Sequence, residues 1–261
     1  MERERLKIIY IASLGHSGST LLDLLISGHP DVVSIGEAKN LNPRTSPTID
    51  CACPAKRLRD CPFWKRVDAR LQRRASLRFR DLDLASADAA TFLAHNVAFF
   101  GAVSELTGRR IIVDSSKSSS RLARLLAAGR FDVDPIRLVR RPHGVVYSNV
   151  KKGRDWLSWS RKYAKHARRT RSLLRGVRHS VVRYEELAED PEAVISALMP
   201  RLGLSFDPRQ LDWSGRERHD CGGNRMRRSP SSEVRIDREW ERAMSSWQKA
   251  VVSLLTVRAR G

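Results

Sequence analysis

Residues 8–25 constrain this chain more than any other segment. Residues 6–13 form a short, nearly continuous apolar run, the pattern of a strand buried on both faces. The loop LGHSGST follows. An amphipathic stretch over residues 19–27 then reads as a helix that stops at Gly28 and Pro30. Gly15 and Gly18 let the backbone turn tightly and approach a ligand closely. The amides of the loop and of the first helical turn converge on one spot, at the positive end of the helix dipole. Ser17, Ser19 and Thr20 add hydroxyls there. Strand, glycine turn and helix in this order predict a binding site for a phosphorylated nucleotide. The triphosphatase pattern G-x-x-x-x-G-K-[ST] is broken, because Ser19 follows Gly18 with no lysine between them. That counts against an ATPase or kinase.

Further strands are predicted at 32–35, 109–114, 135–140 and 178–184, and helices near 62–74, 86–107, 122–128, from Pro142, over 191–202 and over 237–258. Trp156, Trp159, Tyr163, Ala167 and Leu174 step along one face of a further helix whose other faces are basic. Strands alternating with helices imply an α/β fold with a central parallel sheet of about five strands and helices on both faces. The 261 residues suffice for one such domain with helical additions. Residues 42–108 are expected to form an acceptor-side insertion and 237–261 a C-terminal helix.

Arg140 ends the predicted strand IRLVR, at the sheet edge where open parallel sheets bind ligands. Ser148 follows eight residues later, on the helix that Pro142 starts. An arginine and a hydroxyl so placed can hold a second phosphate.

GHSGSTLL, RRPHGVVYS and VVRYEELAEDP together resemble the sulfotransferase family, whose donor is 3′-phosphoadenosine 5′-phosphosulfate (PAPS). Members show a basic residue followed by S-G-T-T in the first stretch and R-N-P-x-x-x-x-x-S in the second. With residues 109–129 and the loop GGNRMR, the resemblance spans residues 8 to about 228. It is closer to tyrosylprotein and carbohydrate sulfotransferases than to the cytosolic aryl enzymes. It implies a three-layer α/β/α fold of the P-loop nucleotide-hydrolase type, a single domain over 1–261, and transfer of a sulfuryl group to an acceptor hydroxyl or amine. By the resemblance, Arg140 and Ser148 bind the 3′-phosphate. Gly15, His16, Ser17, Gly18, Ser19 and Thr20 cradle the 5′-phosphosulfate. Tyr184 lies near the nucleotide, and Arg225 and Arg227 belong to a loop folded over it. The reaction requires no metal, because the donor is already activated.

Where members carry a basic residue before the loop serine, this chain has His16, which brings less charge near pH 7. Lys117, in IIVDSSKSSS after a predicted strand, is expected to share the electrostatic task. The acceptor needs a base. Glu37, in HPDVVSIGE, has the spacing of the base in tyrosylprotein-type enzymes and is assigned that role. His29 is expected to be structural, while His219 is a candidate for the active-site face.

Cys51, Cys53 and Cys61 form a compact group. With Cys221 or His219 they satisfy a zinc pattern. The C-x-C spacing is tighter than the usual C-x₂-C, and plain thiols or a labile disulfide satisfy the sequence as well. No residue is therefore assigned to a metal. The net charge of +20, from 49 Lys+Arg against 29 Asp+Glu, favours polyanionic partners. A nucleic-acid-binding protein using the basic stretch 161–178 is the non-enzymatic alternative. The aromatics there share one face as core residues do, so no nucleic-acid partner is expected and the basic residues are expected to form a solvated face. No apolar run approaches the ~20 residues of a membrane span, and MERERLKIIY is not expected to be a signal peptide. A cytoplasmic protein is expected. Carbohydrate, lipid, peptide and small-molecule acceptors all remain open.

Overall fold

The computed structural model describes residues 5–41 and 49–257. Part of the predicted insertion (42–48) and the end of the tail (258–261) lie outside the described residues.

Five parallel strands form one sheet: β1 (Lys7–Ala12), β2 (Val32–Ser34), β3 (Ile111–Asp114), β4 (Asp132–Val139) and β5 (Ser180–Arg183), in the spatial order β2-β3-β1-β4-β5. β1 is central. It pairs with β3 from Lys7↔Ile111 and with β4 from Lys7↔Asp132. Its apolar run is continuous because both of its faces are covered. Ile8, Tyr10 and Ala12 enter one core, with side chains from α2 (Pro62–Ala75), α3 (Ala89–Thr107) and α4 (Ser119–Ala127). Ile9 and Ile11 enter the other, with α1 (Ser19–Ile26), α7 (Tyr184–Glu189) and α8 (Pro191–Leu198). This is the expected three-layer α/β/α arrangement of the P-loop type.

α5 (Pro142–Val150) and α6 (Trp156–Leu174) pack beside the sheet, joined by α9 (Trp240–Ala243) and α10 (Ser246–Thr256). Val146, Met244 and Val252 make a small separate core with Trp156, Trp159 and Trp240. α6 starts at Trp156 because Asp155 caps it, accepting from the Ser158 amide at 2.6 Å. The predicted single C-terminal helix is instead two. Ser245 and Gln248 form a capping box that starts the second. No described helix is long and apolar enough to cross a membrane.

Candidate active site

The C-terminal ends of β1 and β3 open into a cleft of about 1380 Å³. Its floor is the loop after β1. His16 and Gly18 both adopt left-handed backbone, at φ 69° and 89°. Gly18 is the N-cap of α1 and has no side chain to offer, so the first-turn amides start uncapped. A Cβ on Gly18 would overlap the Tyr184 ring. Tyr184 is therefore the support beneath the loop, and the Arg140 guanidinium lies over its ring, 4.3 Å from the centroid. Arg140 is buried. It donates to the His16 carbonyl at 2.8 Å and to Asp237 Oδ2 at 3.0 Å.

Lys117 and Glu37 reach the cleft from a second loop and from the end of β2. Lys117 sits at φ 63° in the loop after β3. Two anchors hold that loop: Asp114 accepts from the Ser116 amide at 3.0 Å, and the Tyr10 hydroxyl bonds both backbone groups of Ser118. Asp114 is itself held by Arg121, whose Nε lies 2.8 Å from its Oδ2. Arg121 also donates to Asn96 Oδ1 at 2.8 Å and to the Leu84 carbonyl, which ties residues 84–96 to the same loop.

Lys117 Nζ lies 2.5 Å from Glu37 Oε1, and Lys39 Nζ lies 3.6 Å from Glu37 Oε2. Burial pushes the Glu37 carboxyl up, but Lys117 and Lys39 outweigh it and the net direction is down. Glu37 is thus ionised at neutral pH. His16 goes the other way in charge. Burial, then Lys152, Arg154, Lys117 and Arg140, push its imidazole down to about 4, so it is neutral at pH 7. Lys152 Nζ stands 3.2 Å from His16 Nε2. An ammonium only donates, so Nε2 accepts and Nδ1 carries the proton.

The loop 222–228 roofs the cleft. The Asn224 amide donates to Thr20 Oγ1 at 3.4 Å. The residue just before this loop reaches Glu37, whose amide donates to the Cys221 carbonyl at 2.7 Å. Gly36, at φ 66°, lies so close to the Cys221 backbone that no Cβ fits.

Of the residues singled out from sequence, Gly15, His16, Gly18, Ser19, Thr20, Glu37, Lys117, Ser148 and Arg225 line this one cleft. Ser17, Arg140, Tyr184 and Arg227 lie behind its wall. Arg227 is buried, donating to the Asp220 carbonyl at 2.8 Å. His219 faces Cys61 and not the cleft. The solvated-face reading of α6 needs correction, because Lys162, Lys165 and Arg169 line the cleft at helical spacing. Lys39, Lys151, Lys152 and Arg154 line it too. Among the described residues, these with Lys117 and Arg225 make nine cations around one lining carboxylate, Glu37. The i, i+3, i+7 spacing of the three α6 residues was the available signal.

The cleft thus joins, at one edge of a parallel α/β sheet, a glycine loop with uncapped helix amides and an ionised glutamate. A profile of the sulfotransferase family matches residues 9–208. The chain belongs to the sulfotransferase family. Its fold is similar to the sulfotransferase domain of the Synechococcus PCC 7002 olefin synthase, with a TM-score of 0.61 and 21% identity over 100% of this chain and 98% of that one. It is also similar to the sulfotransferase domain from the curacin biosynthetic pathway, with a TM-score of 0.62 and 20% identity over 97% and 98% of the two chains. No curated protein matches the sequence.

Proposed function

We propose that this chain moves a sulfuryl group from PAPS to an acceptor hydroxyl or amine, with Glu37 as the general base. The observation that carries this reading is the meeting of an ionised, lysine-flanked Glu37 with the uncapped amides of the glycine loop in one cleft.

The uncapped first turn of α1 fits an anionic group, since its amides have no side-chain acceptor. Gly15, Gly18, Ser19 and Thr20 would hold the 5′-phosphosulfate, with Nδ1–H of neutral His16 as a further donor. Ser148, beside Lys151 and Lys152, would take the 3′-phosphate. Arg140 joins it only where Asp237 gives way; in its present place it braces the loop through the His16 carbonyl. When bound, the donor supplies an activated sulfur whose leaving oxygen departs on a phosphate. Glu37 takes the acceptor proton as the new bond forms. Protonation of Glu37 weakens its pull on Lys117, and the freed ammonium then favours negative charge developing nearby. One lysine thus orients the base first and balances charge afterwards.

The nine cations exceed what a donor with two anionic ends calls for, which favours an acceptor that is itself anionic. Differential scanning fluorimetry tests the donor assignment. Adenosine 3′,5′-bisphosphate, the donor's product, should raise the melting temperature strongly, and ATP with magnesium should not. Stabilisation by ATP with magnesium alone would return the kinase reading. Glu37→Gln should keep the bisphosphate shift and lower turnover of labelled PAPS by roughly 100-fold or more. Unchanged turnover would remove Glu37 from the mechanism.

A further inference from the structure

Behind the roof, away from the cleft, a second group of side chains converges. Cys51, Cys53 and Cys61 are buried, and their sulfurs lie with a ring nitrogen of His219 so that all four atoms are within 4.8 Å of one another. All four cysteines of the chain are free thiols. We propose that Cys51, Cys53, Cys61 and His219 form a structural zinc site that fixes the roof of the cleft to the core.

Four soft or borderline donors facing one point are the composition of a closed tetrahedral zinc site. At zinc–sulfur distances of about 2.3 Å, tetrahedral ligand atoms stand roughly 3.7 Å apart, so the observed cluster needs shifts of only about an ångström. Cys61 Sγ and His219 Nδ1 are already 3.3 Å apart. The histidine is held as a ligand should be. Its ring stacks on Phe63 at 4.7 Å with planes 3° apart. Its second nitrogen, Nε2, points at Glu217 Oε1 at 3.4 Å, the carboxylate partner that fixes the tautomer of a metal-bound imidazole. Its carbonyl accepts from Trp64 Nε1 at 2.7 Å.

The cysteine loop closes on itself as well. The Cys51 amide donates to the Lys56 carbonyl at 2.8 Å, and the Lys56 amide donates to the Cys53 carbonyl at 3.0 Å. Three thiolates and one neutral imidazole around Zn²⁺ leave one net negative charge. Arg228, which donates to the Cys51 carbonyl at 2.6 Å, stands next to it. Each thiol that ligates releases its proton to solvent, and no electron is transferred. Cys221 is excluded from the set, because its thiol donates to the Ile35 carbonyl at 2.8 Å.

The position gives the metal a task. His219 is two residues before Cys221, whose carbonyl holds the Glu37 amide, and three before the roof that carries Arg225. Among the described residues 49–61 the one regular element is the short turn Leu58–Asp60, so a cross-link there replaces a sheet or helix as the anchor.

The test uses untagged full-length protein, purified under reducing conditions without chelator after growth with added zinc. Plasma mass spectrometry should give about one zinc per chain, as expected for one four-ligand site. Cobalt(II) added to the stripped wild-type protein should give the intense visible bands of a tetrahedral thiolate complex. Cys53→Ser and His219→Ala should lose bound zinc, while Cys221→Ser should keep it. Wild-type protein without stoichiometric zinc and without a cobalt spectrum would overturn the proposal, as would a disulfide among Cys51, Cys53 and Cys61 in protein isolated under reducing conditions. Loss of zinc in Cys221→Ser with retention in His219→Ala would overturn the ligand set. None of these readouts depends on sulfuryl transfer.

Discussion

Charge at single residues decides how the cleft responds to pH. Glu37 is ionised because two lysines outweigh its burial. Replacing Lys117 with Met removes the larger attraction and leaves burial in place. The Glu37 pKa should then rise, and the acid limb of the kcat/KM profile should move to higher pH by about one unit or more. An unmoved limb would show that Lys117 does not hold the base. His16 stays neutral down to about pH 4. Activity should therefore show no gain as pH falls through 6.5, where an ordinary histidine would become cationic. Lysine at that position supplies the missing charge, and His16→Lys should tighten binding of adenosine 3′,5′-bisphosphate in a titration.

Asp23 is a different case. It is buried in α1, and burial together with Asp220 raises its carboxyl to about 7. A carboxyl raised in the folded state binds a proton that the unfolded chain has released. Stability is therefore highest below about pH 4 for this group, falls as pH rises from there to 7, and is flat above. Asp23→Asn removes the cost of the charge. The melting temperature should rise at pH 8, by about 2–4 °C for each kcal/mol recovered, and change little at pH 4.

At the level of elements, the cleft depends on joints between segments distant in sequence. The Arg121–Asp114 pair joins α4, the end of β3 and residues 84–96. Arg121→Met would strand a fully buried carboxylate, at a cost of about 3–5 kcal/mol and a fall of roughly 10 °C in melting temperature. A fall of only a degree or two would show that the pair is replaceable. Gly18→Ala meets both a left-handed backbone and the Tyr184 ring. It should abolish the thermal shift given by the bisphosphate. Adding Tyr184→Leu relieves the overlap and should restore part of it.

These joints also explain what could be read from sequence. β1, the loop at 15–20 and α1 were legible because an unbroken apolar strand, two glycines and an amphipathic helix are local patterns. Glu37 and Lys117 were legible as residues at the ends of strands, but their pairing was not, since it crosses from one loop to another. Arg140 and Arg227 were singled out by residue type and position. Nothing local could reveal that Asp237 and the Asp220 carbonyl engage them behind the wall. The spacing of Lys162, Lys165 and Arg169 marks one shared helical face, but a basic face looks alike whether it meets water or a cleft, so its inward turn was not legible.

Across the whole molecule the net charge of +20 is focused, with nine cations among the described residues around one opening. Affinity for the bisphosphate should therefore fall with ionic strength, by on the order of tenfold between 0.05 and 0.5 M salt, as the screening length shrinks from about 14 Å towards 4 Å. Isothermal titration at the two salt concentrations checks this. A salt-independent constant would mean that contact hydrogen bonds, and not the field, supply the binding.

The pairing of β1 sets a timetable for biosynthesis. Its partners begin at Ile111 and Asp132, so β1 has no neighbour in the sheet until more than a hundred further residues have been added. At about 5–20 residues per second that is a wait of roughly 5–20 s for an apolar segment with both faces bare. A nascent chain in this state is a substrate for chaperones that hold extended apolar stretches. The glycine loop that follows β1 must wait for the same partners before its strand is fixed.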